Sequence, residues 1–357
     1  MTDTTFAEGN QNYIRFYQDA VISGCTFNEK MSIDISNSVK ANVTVTESTV
    51  ENGEVEDLFA GYDIVNSTII VDNVKLVREA KVAHTDGDKT VTTYYETIDE
   101  AMAAAQAGDT VTIFAGDYTT NLNVNKAITV VGETDAAGNN LVNITGNVSV
   151  GSGATVKNLN VHNEKKGNYD CALDVNGHDI VLDGVKLTGY NAMRYCYADG
   201  DITIKNSTIN GSNFAVHFDG EAGGKIAFEN CDITGWCSYA RTVDSVSYTD
   251  CSFNQGNYAG HGYYNKNVSF NECDFAEGFK IELKSSGSNV AFTDSDMTMD
   301  EVEALFKDPY YVAKGNVTLN GVQLVYAASC YVDGATKYFT SLQDAIDACP
   351  NGNYITL

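Results

Sequence analysis

The sequence predicts an all-β protein whose short strands stack as a solenoid, and three observations support this. Only 2 of the 357 residues are proline, whereas glycine (31) and tyrosine (21) are plentiful. Apolar and polar residues alternate over short runs, which is the period of a β-strand. These runs recur about every 22 residues, and a unit that short buries its apolar face only by stacking on its neighbours.

Each repeat contains an eight-residue pattern with apolar residues at positions 1, 3, 6 and 8. Position 5 holds a polar turn residue, so we expect the chain to bend there and to begin a second strand. Position 6 holds only small side chains, which predicts an inward-facing corner column. The repeats are 20–27, 43–50, 69–76, 180–187, 202–209, 226–233, 246–253, 268–275, 290–297 and 317–324. Their position 6 residues are Cys25, Ser48, Val74, Val185, Ser207, Cys231, Cys251, Cys273, Ser295 and Val322.

The sequence also contains a second, longer repeat in addition to the short one. Residues 97–113 recur as 341–357, and residues 45–59 recur as 292–306. This predicts tandem modules in a longer protein: 1–83 would be the last turns of one solenoid, 84–328 a complete module, and 329–357 the start of the next. Neighbouring modules of the same chain would then be partners. The alternative is an old internal duplication.

One amphipathic helix is predicted at 97–107. Thr97 and Glu100 form a Thr-x-x-Glu capping box, and Ile98 and Met102 lie on one apolar face. Gly108 would end the helix, and a second copy begins at residue 341. A short helix in front of the first turn is expected to cover the strand edge that the end of a solenoid would otherwise expose.

The nine cysteines show no Cys-x-x-Cys or Cys/His metal spacing, so no metal site is expected. Cys25, Cys231, Cys251 and Cys273 are interpreted as small apolar fillers of the inward column. A disulfide between neighbours in that column, or between Cys330 and Cys349, stays open at this point.

Three local motifs within 97–133 identify a family resemblance. They are a Gly-Asp turn at 108–109 after the short helix, a Gly-x-Tyr strand at 116–118, and a Lys-x-Ile-x-Val-x-Gly strand at 126–132. The stretch resembles the opening of pectin-lyase-like proteins, and the repeats extend the resemblance over nearly the whole chain. The resemblance implies a right-handed parallel β-helix. It implies little about activity, because this fold carries lyases, hydrolases, epimerases, adhesins and phage tailspikes.

The motifs of the polysaccharide-cleaving members are largely missing. Of the polygalacturonase-like set only Gly-His-Gly occurs, at 260–262, and no Asp-Asp or Arg-Ile-Lys sequence is found. His261 is therefore a candidate catalytic residue, with an ordinary loop position as the alternative. The resemblance leaves open whether the chain is an enzyme.

The charge of the chain limits the classes of ligand that it is expected to bind. There are 48 acidic and 22 basic residues, and the net charge is −26. This disfavours nucleic acid, anionic lipid and pectate-like polyanions, so neutral glycans or proteins are the easier ligands. No apolar stretch reaches the roughly 18 residues of a membrane-spanning helix, so no membrane insertion is expected.

A strip on the third strand of successive repeats is the candidate site. Its polar residues stand between apolar neighbours and should point outward from the sheet, while aromatic side chains nearby could stack on sugars. The ligand-binding candidates are Asp174, Arg194, Tyr195, Tyr197, His217, Trp236, Tyr239 and Arg241. Arg194, His217 and Arg241 are also catalytic candidates. The alternative is a solvated ladder of charges.

We expect a non-enzymatic, adhesin-like bacterial surface protein that binds a glycan or a host protein, because tandem copies favour multivalent binding. The alternative is a polysaccharide lyase or glycoside hydrolase, or a glycan-binding relic of one, that uses the face of Arg194, His217 and Arg241. A third possibility is a trimeric protein similar to phage tailspikes. No cofactor is expected, although Ca²⁺ at acidic turns stays open. Residues 1–20 lack a signal-peptide pattern, so the extracellular location follows from the resemblance.

Overall fold

The computed structural model describes residues 1–9, 12–36, 38–167, 169–195, 201–218, 224–237, 243–254, 267–283 and 287–357. The chain forms two compact units. One comprises Met1–Ala105 with Asp109–Phe114, and the other comprises Gln106–Gly108 with Ala115–Leu357. Both consist mainly of short parallel strands joined by turns, which confirms the predicted β-solenoid. Across the described ranges, every helix is too short or too polar to span a lipid bilayer.

The first unit stacks its strands in three parallel sheets and ends in an antiparallel one. The parallel sheets are Ala20–Ser23, Asn42–Thr46 and Thr68–Val71; Thr5–Phe6, Thr26–Phe27 and Thr49–Val50; and Tyr13–Phe16 and Ser32–Ile35. Ala80–Asp86 then pairs antiparallel with Lys89–Tyr95 and with Thr110–Ile113. The helices are Gly61–Asn66 and Ile98–Ala104, with a 3₁₀ turn at Val55–Leu58.

The second unit stacks its strands in three parallel arrays, here named sheets A, B and C. Sheet A contains Thr129–Gly132, Thr155–Lys157, Ile180–Asp183, Asp201–Lys205, Lys225–Glu229, Ser245–Thr249, Asn267–Asn271, Asn289–Thr293 and Asn316–Leu319. Sheet B contains Gly116–Thr119, Val142–Thr145, Asn160–Asn163, Lys186–Gly189, Asp232–Cys237, Ser252–Phe253 and Asp274–Phe275. Sheet C contains Leu122–Val124, Val148–Val150, Cys171–Val175 and Asn191–Tyr195. The long strand Thr208–Phe218 joins sheet B at its start and sheet C at its end.

The last part of this unit is antiparallel and partly helical. Ala328–Val332 pairs with Ala335–Phe339 and with Ile355–Thr356. The helices are Met299–Leu305, Pro309–Lys314 and Leu342–Ala348. Cys330 and Cys349 form a disulfide, with their Cα atoms 6.0 Å apart. The helix at Met299–Leu305 was not predicted, although Thr298 and Glu301 form a capping box whose sequence is a signal for a helix start.

The bend between sheets A and B depends on one left-handed residue in each of six successive turns, from Asn158 to Glu272. At position 5 the φ angles are 52° for Asn206, 51° for Asn230 and 50° for Asp250. Asparagine and aspartate adopt this conformation more readily than most residues. The small residue that follows is buried, as at Ser207 and Cys231. The predicted bend and inward corner are therefore confirmed at these positions.

Two members of the predicted corner column do not lie there. Val74 and Val322 are 65% and 63% exposed. Each follows a two-residue turn, 72–73 and 320–321, in which both residues have positive φ. Two successive left-handed residues reverse the chain into an antiparallel hairpin, whereas a single one bends it into the next sheet. These two repeats therefore end their parallel stacks.

Like residues stack in the interior of the second unit. Phe228, Tyr248, Phe270 and Phe292 occupy equivalent positions in sheet A, and successive ring centroids lie 4.9, 5.3 and 5.1 Å apart. In the corner column, Cys231, Cys251 and Cys273 are free thiols whose sulfur atoms donate to backbone carbonyls.

The predicted helix at 97–107 is present as Ile98–Ala104. Thr97 and Glu100 form the expected capping box, and Ile98, Ala101 and Met102 are buried. The helix ends before 107 because Ala105 has an extended ψ of 140°.

Candidate functional site

The outer face of sheet C carries the predicted polar strip. Asp174 pairs with Arg194, and Arg194 pairs with His217, on successive strands. The neighbours Leu173 and Val175 are fully buried, whereas Asp174 is half-buried. The three polar side chains therefore lie on the outer face, and their strands are about 4.8 Å apart.

Aromatic rings extend this strip into a row of side chains that stack on one another, which we call the platform: Tyr169, Arg194, Phe214, His217 and Trp236. The Arg194 guanidinium carbon lies 4.6 Å from the centroid of the Tyr169 ring, within the range of a cation–π contact. The His217 ring is nearly parallel to those of Tyr169 and Phe214, with centroids 6.1 and 4.4 Å away. Phe214 stacks in turn on Trp236 at 4.9 Å. The platform thus crosses several successive turns of the β-helix.

Two buried asparagines hold the segment that carries Tyr169. The Asn191 amide nitrogen donates to the carbonyls of Gly167 (2.8 Å) and Asp170 (3.3 Å). The Asn163 amide donates to a carbonyl at the start of the next strand, at 2.8 Å. Asn191 is 0% exposed. Buried donors of this kind fix the path of a loop, because a buried amide N–H left without an acceptor would be costly.

A polar groove of about 340 Å³ adjoins the platform, and Tyr169 forms part of its wall. Asp170 and Asp174 contribute two carboxylates to the groove, and Lys165 contributes an ammonium group. Four asparagines also line it, and one of them, Asn147, donates from its amide to Asp174 at 3.1 Å. The groove is therefore rich in both hydrogen-bond donors and acceptors.

Several predicted ligand residues do not join this site. Tyr195 is 0% exposed, and its ring packs 6.1 Å from that of Phe218. Because side chains alternate along a strand, Tyr195 points into the core when Arg194 points outward. The remaining candidates lie outside the described residues: Tyr197, Tyr239, Arg241 and His261.

The sequence pattern missed several residues of the site. Tyr169, Lys165 and Asp170 lie in a connecting segment that does not share the repeat. Phe214 is an odd number of residues from His217, so simple alternation would place it on the opposite face. The register of the strand Thr208–Phe218 shifts on both sides of Phe214, and such irregularities re-aim side chains.

No cluster of three or more histidine, cysteine, aspartate or glutamate side chains able to hold a metal ion is found in the ranges that the structure describes.

No family model and no curated protein matches the chain. Two structures of the pectin methylesterase from Aspergillus niger are similar to it at 17% identity, each over 66% of this chain and 84% of the other. The TM-scores are 0.43 for the penultimately deglycosylated form and 0.39 for the deglycosylated form. In its own architecture of stacked parallel strands and bent turns, the chain is a parallel β-solenoid.

Proposed function

We propose that the chain binds a glycan on the platform and in the adjoining groove. The observation that carries this proposal is the continuous run of near-parallel rings from Tyr169 through His217 and Phe214 to Trp236. A sugar lying along this row would pack its C–H groups against the rings, which buries apolar surface and excludes water.

The spacing of the turns suits a repeating ligand. Successive strands lie about 4.8 Å apart, which is close to the length of one sugar residue. A glycan lying along the stack would meet a ring or a polar group at each residue. The carboxylates and amides of the groove would bind its hydroxyl groups. Such a face would suit the extracellular, adhesin-like role that we propose for the protein.

Removing rings from the platform tests the proposal. We expect Tyr169→Ala and Phe214→Ala each to weaken glycan binding about tenfold, because each removes a stacking surface of about 1 kcal/mol or more. Isothermal titration calorimetry against a polysaccharide panel measures this. Tyr354→Ala is the matched control, since Tyr354 is 89% exposed and lies outside the site. Unchanged binding in both platform variants, with intact circular dichroism, would overturn the proposal.

A second candidate function is polysaccharide cleavage. Asp170 and Asp174 line the same groove, and glycoside hydrolases use paired carboxylates. Assays for new reducing ends and for unsaturated products, with and without Ca²⁺, test it. Turnover that disappears in Asp170→Asn and Asp174→Asn would support cleavage. If the unmodified protein cleaves none of the substrates, glycan binding remains as the proposed function.

A further inference from the structure

We infer that the glycan bound at this site is a neutral polysaccharide and not a uronate-containing one. This inference rests on the proposed function and names the substrate class of the same site. Three observations support it: the charges inside the groove, the surroundings of the nearest arginine, and the charge of the whole chain.

The groove itself does not favour an anion. Asp170 and Asp174 outnumber Lys165 among the charged residues that line it. The Asn147 amide already donates to Asp174, so one donor of the groove is directed to a protein carboxylate. A uronate carboxylate placed here would face two like charges, and the repulsion between charges a few ångströms apart is substantial even near solvent.

Arg194 does not convert the site into an anion site. It is the direct ladder neighbour of Asp174, and its guanidinium lies against the Tyr169 ring. Its positive charge is therefore offset by an adjacent carboxylate, and its flat face serves the platform. The net charge of −26 adds a long-range field that repels a polyanion.

Hydroxyl groups, in contrast, match the groove. A carboxylate oxygen accepts a hydrogen bond from a hydroxyl, and an asparagine amide both donates to and accepts from one. Asp170 and Asp174 with the asparagines around them therefore form a surface for neutral sugars, whose C–H faces would rest on the neighbouring rings.

The test compares matched ligands that differ only in charge. Glucan, mannan and galactan would each be used in the neutral form and after oxidation of the primary hydroxyls to carboxylates. We expect at least one neutral form to bind about tenfold more tightly than its oxidised counterpart at low salt. The difference should shrink as salt rises, because screening weakens the repulsion.

Two variants locate the source of this selectivity. Asp170→Asn and Asp174→Asn should each raise, several-fold, the ratio of the affinity for the oxidised form to the affinity for the neutral form. Asp296→Asn, an equal change of charge at an exposed turn outside the groove, should not. Equal binding of both forms, or preference for the oxidised one, would overturn the inference and leave glycan binding standing. No binding to any form would overturn the proposed function and the inference together.

Discussion

Asp63 is a buried carboxylic acid in the first unit, on the helix Gly61–Asn66, and is only 4% exposed. Burial and, to a lesser extent, the negative charge of Asp34 raise its pKa to about 6, although the Ile35 backbone N–H donates to it. The folded protein therefore keeps a proton on Asp63 that the unfolded chain has already lost above about pH 4. This costs stability as the pH rises through the range between the two pKa values.

Asp63→Asn should raise the free energy of unfolding at pH 8 by about 1–3 kcal/mol. Asparagine is neutral and can still accept the hydrogen bond from Ile35. At about pH 3, where Asp63 is largely protonated in both states, the difference should nearly vanish. Urea unfolding followed by circular dichroism at the two pH values measures this. Asp88→Asn, at an exposed position, is the control, and an equal stabilisation by both variants would contradict the explanation.

At the scale of single residues, the sequence predicts the conformation and burial that the local repeat determines. It does not predict positions that depend on irregularities of the repeat. The turn residue Asn206 and the corner residue Cys231 follow from an eight-residue pattern, because their conformation and burial depend on adjacent strands. The burial of Tyr195 follows from alternation once Arg194 is placed outward. Phe214 could not be placed, because a register shift reverses the direction that alternation would give it.

At the scale of elements, the segment before Cys171–Val175 determines whether the platform is complete. It carries Tyr169 and lies outside the repeats, so no periodic signal predicts its path. Its position depends on the buried Asn191, whose amide donates to two of its carbonyls and whose oxygen accepts from the Asn213 amide at 3.0 Å. The site thus depends on a contact between neighbouring turns that the sequence pattern does not encode.

Asn191→Asp should loosen this segment without changing the volume of the side chain. Aspartate keeps the acceptor for Asn213 but cannot donate to Gly167 or Asp170, and its buried negative charge would face their carbonyl oxygens. We expect faster trypsin cleavage after Lys165 and weaker glycan binding. Asn210→Asp, an exposed change on the next turn, should change neither property. Unaltered proteolysis in Asn191→Asp would show that other contacts position Tyr169.

At the scale of the whole molecule, the excess of acidic residues is the main electrostatic feature. The net charge is −26, so the excess carboxylates repel one another in any compact state and lower the stability of the fold. Cationic side chains offset this in places, as where Lys157 and Lys205 flank Asp183 on sheet A at 3.9 and 3.8 Å. Exposed pairs of this kind contribute little individually.

Salt should therefore stabilise the protein near neutral pH. Raising the ionic strength from about 0.01 to 0.15 M shortens the Debye length from about 30 to 8 Å, and we expect the Tm to rise by several degrees. Thermal unfolding followed by circular dichroism measures this. Near the isoelectric point of about 4.3 the salt effect should largely disappear, and a fall in Tm at neutral pH would contradict the electrostatic argument.

The paired left-handed turns at 72–73 and 320–321 also set how many turns each stack can have. A stack of identical turns has no intrinsic length, because the last strand always presents an unpaired edge to another strand. The second left-handed residue folds the chain back onto its own final strand. One additional residue in the turn is therefore enough to end the stack. Replacing such a pair by a single turn residue would remove the stop, so the length of the solenoid is encoded by two residues and not by its many repeats.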